Sequence, residues 1–596
     1  MITYKAPLQD IRFILEQLAD LEGISRLPGC DDASPDVVAA ILEEAGKFAA
    51  GVLAPLNPIG DAQGCRFEQG KVATADGWHE AYRQFAAAGW VSLALPAGYG
   101  GQEMPKIVST PVYEMWSSAN MAFAMLPALN IGATEALSIA ASNELKATFL
   151  PKLVSGEWSG TMNLTEPQAG SDLSTLRCSA KQLQDGSYRL FGHKIFISYG
   201  EHDLTENIVH LVLARLPDGP PGVKGISLFV VPKFLVNADG TLGERNDVRC
   251  IAIEEKLGIH ASPTCSMSYG DSGGAVGYLV GAPNCGLVTM FVMMNEARFG
   301  VGLHGVAVGE VAYQKALAYA RERVQGRDAA SGASGVPIIC HPDVRRMLLT
   351  MRAKVMAPRM LIYVVGGWFD IARYHLDTVV AERHRRLIDL LMPVVKAWST
   401  EIGNEVTDMA IQVFGGMGYI EETGIAQHRR DLRISTIFEG TTGIQANDLI
   451  GRKILRESGE TLRMLLGDMR GVAAQLSGAG DLAPLGAALV ADIGTLERTL
   501  DWILEHGKTN FSEVLAGAVP FLQLLGTICG SWQMGRAALV ARAGLAAGHG
   551  DAAYLQGIVD LARFYFGHLA PQAASLARVV MHGGAPVVAA GDAVFG

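Results

Sequence analysis

The sequence lacks several features that would each indicate a particular class of protein. Its eight cysteines are scattered, and no two have the Cys-x-x-Cys spacing of a zinc or redox motif, so we expect reduced thiols. Charged residues make up only 18% of the chain. With 49 basic against 60 acidic side chains, the net charge is -11, which disfavours nucleic acid or an anionic membrane as the main partner.

Long apolar runs are missing as well. No window contains the ~18 uninterrupted apolar residues that a membrane span needs. Residues 1–10 have no basic segment followed by an apolar run, which disfavours a cleaved signal. We therefore expect a soluble, cytoplasmic protein with no membrane insertion.

The chain is long and apolar enough for several domains with large cores, at 596 residues and 49% hydrophobic content. Helical spacing of apolar residues dominates, and short β-branched runs between Gly, Pro and Asp turns occur in the middle. The pattern predicts an α+β fold that is mostly α. Its expected parts are an N-terminal extension (1–40), an N-terminal helical domain (41–160), a central β-barrel or sandwich (161–285), a four-helix-bundle-like domain (286–460) and a C-terminal helical extension (461–596).

One carboxylate stands where a new helix is predicted to begin. Glu439 follows the apolar Phe438 and precedes a Gly-Thr-Thr sequence, so Thr441 or Thr442 is the predicted N-cap. Apolar walls raise a carboxyl pKa and a helix N-terminus lowers it, so this environment can tune a general base. An acidic residue in a first helical turn is also commonplace, and this stretch alone leaves both interpretations open.

Residues 162–172, at the entry to the predicted β-domain, have groups suited to a ligand. Thr165 and Ser171 supply hydroxyls, and Gly170 lets a backbone N–H approach a ligand closely. A structural turn before a strand explains the same residues.

Two further stretches have a functional and a structural interpretation. Phe196 and Ser198 would share one face of a strand, where a ring and a hydroxyl can form the wall of a site for a planar heterocycle. They also fit as ordinary barrel residues. The Arg-Glu-Arg sequence at 321–323 ends a predicted helix and can hold a phosphate or simply cap the helix.

Together, five motifs in order resemble the acyl-CoA dehydrogenase family over about residues 40–455. The matching pieces are Thr-Glu-Pro-x-Ala-Gly-Ser-Asp at 165–172, Phe-Ile-Ser at 196–198, Ala-Arg-Glu-Arg at 320–323, Gln-Val-Phe-Gly-Gly-x-Gly at 412–418, and Arg-Asp at 430–431 followed by Phe-Glu-Gly-Thr at 438–441. The N-terminal residues and the C-terminal extension are similar to a long bacterial branch, which includes fatty acyl-CoA and 3-methylmercaptopropionyl-CoA dehydrogenases.

The resemblance implies an FAD-dependent enzyme that oxidises an acyl-CoA to the trans-2-enoyl-CoA. Glu439 would remove the α-proton while the β-hydrogen leaves as hydride to the flavin N5. The backbone N–H of Glu439 and a flavin hydroxyl would stabilise the thioester oxygen. A medium-chain fatty acyl-CoA and 3-methylmercaptopropionyl-CoA are the competing substrates. Electron-transfer flavoprotein is the implied acceptor, and the implied assembly is a homo-oligomer, most simply a dimer.

The resemblance also assigns roles to individual residues, with no metal among the ligands. The implied FAD contacts are Leu164, Thr165, Gly170, Ser171, Phe196, Ser198 and Thr441. A second group would bind the adenosine diphosphate half of a neighbouring subunit's FAD: Arg323, Gln325, Gln412, Gly415 and Gly416. The implied substrate contacts are Ser171, Arg298 and Gly440.

The chain departs from the family pattern in places. Many relatives have Gln two residues after the Thr of Glu-Gly-Thr, whereas this chain has Gly443, with Gln445 nearby. Some relatives place the base directly before the residue matching Arg298, and this chain has Ala297 there.

Two alternative functions remain open. An acyl-CoA oxidase would pass electrons to O2 and produce peroxide in air without an added acceptor. A non-catalytic flavin- or acyl-CoA-binding scaffold would retain the fold without turnover, and colourless purified protein would favour it.

Overall fold

The computed structural model describes residues 4–596, which form two compact units. The first unit contains residues 4–43, 106–114 and 301–596, and the second contains residues 44–105 and 115–300. The chain passes between the units several times, so each unit takes residues from more than one predicted domain. The five domain boundaries given above stay predictions.

Helices make up most of the first unit. Those that lie wholly within it are Leu8–Gln17, Leu21–Ser25, Pro342–Tyr374, Thr378–Pro393, Ser399–Phe414, Ile425–Leu432, Thr442–Asp448, Glu460–Ser477, Ala483–His506, Phe511–Ala516, Ala518–Ala547, Ala552–His568, Gln572–His582 and Gly584–Ala589. Helices with residues in both units are Pro35–Phe48, Lys106–Ala119 and Gly286–Glu322. The helices predicted for the bundle and the C-terminal extension are therefore confirmed.

A π-helical turn lies within one long helix of the bundle. Val394–Trp398 joins Thr378–Pro393 to Ser399–Phe414, and Gly415, with φ +60°, ends the helix. The helix Gly286–Glu322 crosses it closely in the first unit. A Cβ at Gly403 would lie 2.4 Å from the Gly305 carbonyl oxygen, so glycine is needed for this crossing.

The C-terminal extension packs on the bundle around the buried helix Ala518–Ala547. A Cβ at Gly526 would lie 2.3 Å from the Trp398 ring, and a Cβ at Gly530 would lie 2.0 Å from the Tyr565 hydroxyl. These glycines let the helix approach both the bundle and the extension's own helices. The contacts with Trp398 and Tyr565 occur one helical turn apart. The extension is therefore packed against the rest of this unit.

A buried group of charges crosses the first unit. Arg359, which is fully buried, donates to Glu114 through Nη2 (2.7 Å to Oε1) and to Glu310 (2.7 Å to Oε2). The Tyr363 hydroxyl donates to the other oxygen of Glu114 at 2.8 Å. A buried charge is costly unless it is paired. A shift of any of the three helices would separate these charges, so the contacts favour one register.

The N-terminal extension joins this group through Asp10. Arg352 donates to both carboxylate oxygens of Asp10 at 2.6 Å, and the Tyr554 hydroxyl donates to Oδ1 at 3.0 Å. Burial alone would raise the pKa of Asp10, but Arg352 and Arg359 hold it below its ordinary value. Helices from both ends of the chain thus meet on Pro342–Tyr374.

The second unit combines helices with the β-domain. Its helices are Ala54–Gln63, Trp78–Ala87, Met121–Ala140 and Asn143–Ser155, with the π-helical turn Ala49–Leu53. The strands of its large mixed sheet are Trp158–Asn163, Ser179–Gln182, Tyr188–Ser198, Asn207–Arg215, Ile226–Pro232, Val248–Ile253, Thr264–Tyr269 and Ala275–Val280. Small antiparallel pairs are formed by Arg66–Glu68 with Lys71–Ala73 and by Phe234–Val236 with Leu242–Arg245.

The large sheet closes on itself. Ser179–Gln182 pairs antiparallel with Tyr188–Ser198 and forms a parallel bridge to Asn207–Arg215 (Ser179 beside Arg215). The other strand pairs are antiparallel, except that Trp158–Asn163 lies parallel to Asn207–Arg215 in the register Trp158 to Asn207. This closure is the arrangement of a small barrel, and the predicted mostly α, α+β fold is confirmed.

Two helices are long and apolar enough, by length and composition, to cross a membrane, although the sequence has no uninterrupted apolar run of that length. They are Met121–Ala140 and Pro342–Tyr374, and 67% and 83% of their apolar windows are buried within the protein. Core helices of soluble proteins have the same composition. All eight cysteines are free, in agreement with the expected reduced thiols.

Replacing Arg359 with Met should destabilise the protein by about 3–5 kcal/mol, because Glu114 and Glu310 would stay buried without their cation. Denaturant unfolding measures the loss. Arg346→Met is the matched control on the same helix, since Arg346 forms an exposed pair with Asp343, and it should cost less than about 0.5 kcal/mol. Equal losses for the two variants would contradict a stabilising role of the buried charges.

Candidate active site

The predicted site residues are divided between the two units. In the first unit, Glu439 lies in the loop between the turn Arg433–Thr436 and the helix Thr442–Asp448. It is half-buried and has φ +56°, in the left-handed region that a residue with a side chain enters at a cost of about 1–2 kcal/mol. Gly440 follows with φ +88°. The carboxylate therefore stands on a strained turn that the surrounding contacts must stabilise.

Two buried side chains hold this turn by its carbonyl groups. Gln445 donates from Nε2 to the Glu439 carbonyl oxygen at 3.0 Å, and Lys396 donates from Nζ to the Gly440 carbonyl oxygen at 2.7 Å. Thr441 is the N-cap of the next helix, as predicted, and its hydroxyl accepts from the Ile444 N–H at 3.2 Å. The side-chain amide of Gln445 thus donates its hydrogen bond to the backbone of the Glu439 loop.

The residue before the candidate base packs near an uncharged histidine. The rings of Phe438 and His304 have centroids 6.5 Å apart, and His304 Nε2 lies 2.8 Å from the Tyr113 hydroxyl. Burial lowers the pKa of His304 to about 3, so the imidazole is neutral at physiological pH. This side of the Glu439 loop is consequently apolar or neutral.

Arg323, Gln325, Gln412, Gly415 and Gly416 all lie on the surface of the first unit. The rings of Tyr319 and Phe414 stack 4.2 Å apart at 14°, which fixes the two helix ends carrying these residues side by side. A Cβ at Gly415 or Gly416 would meet no atom within 4 Å, so a ligand can approach the backbone there.

In the second unit, a buried ion pair fixes the loop that contains Leu164 and Thr165. Lys194 donates to the Leu164 carbonyl oxygen and to Glu166 Oε1, both at 2.9 Å. The carboxylate of Glu166 also accepts from the N–H groups of Arg177 (2.7 Å) and Cys178 (3.0 Å). Burial alone would raise the pKa of Glu166, but Lys194 and these N–H groups lower it to about 2.

Phe196 lies on a β-bulge. Cys265 pairs with Ile197 and Met267 pairs with Lys194, so two residues of this strand oppose one residue of its neighbour. Phe196 has φ +60° and the residue is 59% exposed, whereas Ile197 is buried and Ser198 is half-buried. The bulge presents an aromatic face to solvent, where it is available for stacking.

The other predicted residues of this unit are partly accessible. Gly170 and Ser171 are exposed, and a Cβ at Gly170 would meet no atom within 4 Å. Arg298 is buried, with its guanidinium 5.9 Å from the centre of the Phe291 ring. An exposed ring, an open glycine and a nearby hydroxyl fit a cofactor with a planar heterocycle and phosphates.

Sequence reasoning missed the residues that support these groups. Glu166 lies inside the motif at 165–172, and Lys194 lies two residues before the motif at 196–198. A carboxylate and an amine next to apolar strand residues were the available signal for an internal ion pair. Lys396 and His304 lie in long helices, and an isolated polar residue in an apolar stretch was the available signal.

Four family models match the chain in succession. They describe the N-terminal domain of acyl-CoA dehydrogenases at 37–157, the middle domain at 161–272, the C-terminal domain at 284–455 and an acetyl-CoA dehydrogenase C-terminal-like domain at 465–590.

Two curated relatives and a solved structure resemble most of the chain. A 3-methylmercaptopropionyl-CoA dehydrogenase of Ruegeria pomeroyi is 48% identical over 566 residues, which is 95% of each chain. A butyryl-CoA dehydrogenase of Syntrophomonas wolfei is 34% identical, also over 95% of each chain. The structure of an acyl-CoA dehydrogenase of Bacillus anthracis complexed with FAD aligns with a TM-score of 0.73 and 21% identity, over 98% of this chain and 93% of that one.

These matches first define a class: the chain is an oxidoreductase that acts on the CH–CH bond of an acyl-CoA. More narrowly, it belongs to the acyl-CoA dehydrogenase family, as its motifs predicted.

Replacing Glu166 with Gln should destabilise the protein at pH 7 by about 3–5 kcal/mol, because Lys194 would stay buried without its partner. The pKa of Glu166 falls from an ordinary 4.5 to about 2 on folding, so its contribution is present above pH 4.5 and is lost as the pH falls towards 2. The difference in unfolding free energy between wild type and variant should therefore shrink over that window. Denaturant unfolding between pH 2 and 7 measures it.

The exposed Glu206, replaced by Gln, controls for loss of a carboxylate in the same unit and should change little at any pH. A Glu166→Gln difference that stays constant from pH 7 to pH 2 would contradict the ion pair.

Proposed function

We propose that this chain is an FAD-dependent acyl-CoA dehydrogenase that forms a trans-2-enoyl-CoA, with Glu439 as the base that removes the α-proton. The observation that carries the proposal is the position of this carboxylate on a left-handed turn whose two carbonyl groups are held by Gln445 and Lys396. Fixed backbone geometry of this kind is what a positioned base requires.

The chemistry explains why the base needs such a site. The α-proton of a thioester is weakly acidic, so its removal needs both a base and stabilisation of the charge that develops on the carbonyl oxygen. Bound FAD would supply the hydride acceptor. The surroundings at Phe438 and His304 are apolar or neutral, which favours proton transfer to the carboxylate.

We assign the flavin contacts to two groups of residues. Leu164, Thr165, Gly170, Ser171, Phe196, Ser198 and Thr441 would bind FAD of the same subunit. Arg323, Gln325, Gln412, Gly415 and Gly416 would bind the adenosine diphosphate half of a neighbouring subunit's FAD. Their exposure and the stacked Tyr319 and Phe414 rings support this second role, which requires at least a homodimer.

Ser171, Arg298 and Gly440 are the proposed contacts of the acyl-CoA. The relative that is 48% identical over 95% of both chains supports 3-methylmercaptopropionyl-CoA as the substrate. A medium-chain fatty acyl-CoA is the competing substrate, because a sulfur that replaces a methylene changes shape little and is discriminated by only ~1–3 kcal/mol. Electron-transfer flavoprotein is the proposed acceptor.

Glu439→Gln should abolish turnover, by about 10⁴-fold or more, because the amide cannot accept the α-proton. It should retain bound yellow flavin and acyl-CoA affinity, since the side chains are isosteric. Dye-coupled turnover and the flavin absorbance measure the two properties. Glu422→Gln, at an exposed carboxylate in the same unit, is the matched control and should keep full activity.

Full activity of Glu439→Gln would refute the assignment of the base. Loss of flavin from this variant, with lost activity, would instead assign Glu439 a structural role.

Reduction of the bound flavin by different acyl-CoA thioesters tests the proposed substrate. Under anaerobic conditions, both 3-methylmercaptopropionyl-CoA and its methylene isostere pentanoyl-CoA should bleach the flavin, with rate constants per unit concentration that differ by less than about 200-fold. The sulfur-containing thioester should be the faster of the two. A faster reaction of octanoyl-CoA would favour the medium-chain alternative, and no bleaching by any of the three would contradict the proposed reaction.

A further inference from the structure

A π-helical turn interrupts the long helix that runs beneath the Glu439 loop. Val394–Trp398 lies between Thr378–Pro393 and Ser399–Phe414, and it contains Lys396, which is fully buried. A π-turn gives up regular helical hydrogen bonding and is found often at functional sites. Its presence here needs a physical reason.

The neighbouring helix Gly286–Glu322 lies directly against this turn. A Cβ at Gly302 would lie 2.5 Å from the Val395 carbonyl oxygen, and a Cβ at Gly305 would lie 2.2 Å from the Ser399 carbonyl oxygen. Two glycines therefore permit a close backbone approach on this side of the π-turn. Such packing leaves the turn little freedom and fixes the origin of the Lys396 side chain.

The buried ammonium of Lys396 donates to the Gly440 carbonyl oxygen at 2.7 Å. A lysine is costly to bury, and a charge-assisted hydrogen bond is stronger than a neutral one. The carbonyl that it binds belongs to the residue after Glu439. With Gln445 on the Glu439 carbonyl, the two hydrogen bonds restrain the peptide groups on both sides of Gly440, and the first of these groups also follows the left-handed Glu439.

We propose that Lys396 is a positioning residue for the reaction: it holds the left-handed turn at Glu439 and Gly440 through the Gly440 carbonyl, and it supplies a positive charge that favours the ionised carboxylate. The inference rests on the proposed role of Glu439 as the base. It goes beyond that role because it assigns the alignment and the ionisation of the base to a side chain 43 positions earlier in the sequence.

Three other titratable or charged side chains lie near this loop, and each is acidic, exposed or neutral, unlike the buried Lys396. Glu401 has an acidic side chain, which accepts a hydrogen bond from the Thr442 hydroxyl at 2.5 Å. Arg433 is exposed and donates to the Thr436 hydroxyl, and His304 is neutral. Among these groups, Lys396 alone is a buried cation that binds the loop's backbone.

The test compares Lys396→Met, which removes both the charge and the donor, with Lys396→Gln, which keeps an N–H donor without the charge. The holoenzyme is assayed for flavin content, for KM and kcat with 3-methylmercaptopropionyl-CoA or the fastest acyl-CoA found, and for the pH dependence of kcat/KM. Lys396→Met should lower kcat by about 100-fold, as expected for a displaced base, with KM changed less than about fivefold. Both variants should shift the acid limb of the pH profile upward by about one unit, because the carboxylate loses a nearby cation.

Lys315→Met is the matched control, since Lys315 is a half-buried lysine of the same unit that also donates to a glycine carbonyl, that of Gly424 at 3.3 Å. It should lose stability but keep kcat and the pH profile. A folded, flavin-loaded Lys396→Met enzyme with kcat within twofold of wild type and an unshifted profile would overturn the proposal. If Lys396→Met does not fold, the pH profile of Lys396→Gln is used instead: an acid limb shifted upward supports the proposal, and an unshifted one overturns it. Full activity of Glu439→Gln would instead remove the base assignment, independently of any effect at Lys396.

Discussion

The account depends on the left-handed backbone of Glu439. A residue with a side chain does not hold this conformation without support, and here the support consists of two donors on consecutive carbonyls, followed by a helix that Thr441 caps. A carboxylate on such a turn is restrained through its main chain, so the direction of its Cα–Cβ bond is fixed. The close glycine contacts between the crossing helix and the π-turn at 394–398 fix the segment that carries one of the two donors, Lys396.

The buried charges serve a related purpose at the scale of the whole first unit. Arg359 and Arg352 connect the N-terminal extension, the bundle and the C-terminal extension, so the helices that these contacts join pack together within the first unit. Such pairs add little net stability compared with an apolar core. Their value lies in specificity, since a wrong helix register would leave a charge buried without a partner.

Local sequence patterns were enough to predict the class of fold, whereas Glu439 was chosen as the base through the family resemblance and stays a prediction. Helical spacing located the long helices, β-branched runs located the β-domain, and the Gly-Thr-Thr sequence located the N-cap after Glu439. The bulge at Phe196, the π-turn around Lys396 and the hairpin at Gln69 and Gly70 were missed. Each depends on contacts with residues distant in sequence or, in the hairpin, on a two-residue turn in which Gln takes a positive φ that it rarely adopts. The roles assigned to the individual flavin and substrate contacts stay predictions.

The most direct test of the account is anaerobic stopped-flow reduction of the bound flavin by an acyl-CoA deuterated at the α-carbon. If Glu439 removes the α-proton as the β-hydrogen leaves, deuterium at the α-carbon should slow flavin bleaching by several-fold in the wild-type enzyme. Bleaching at an unchanged rate, with chemistry shown to be rate-limiting by an effect of β-deuteration, would contradict the role of the carboxylate that the structure holds so firmly.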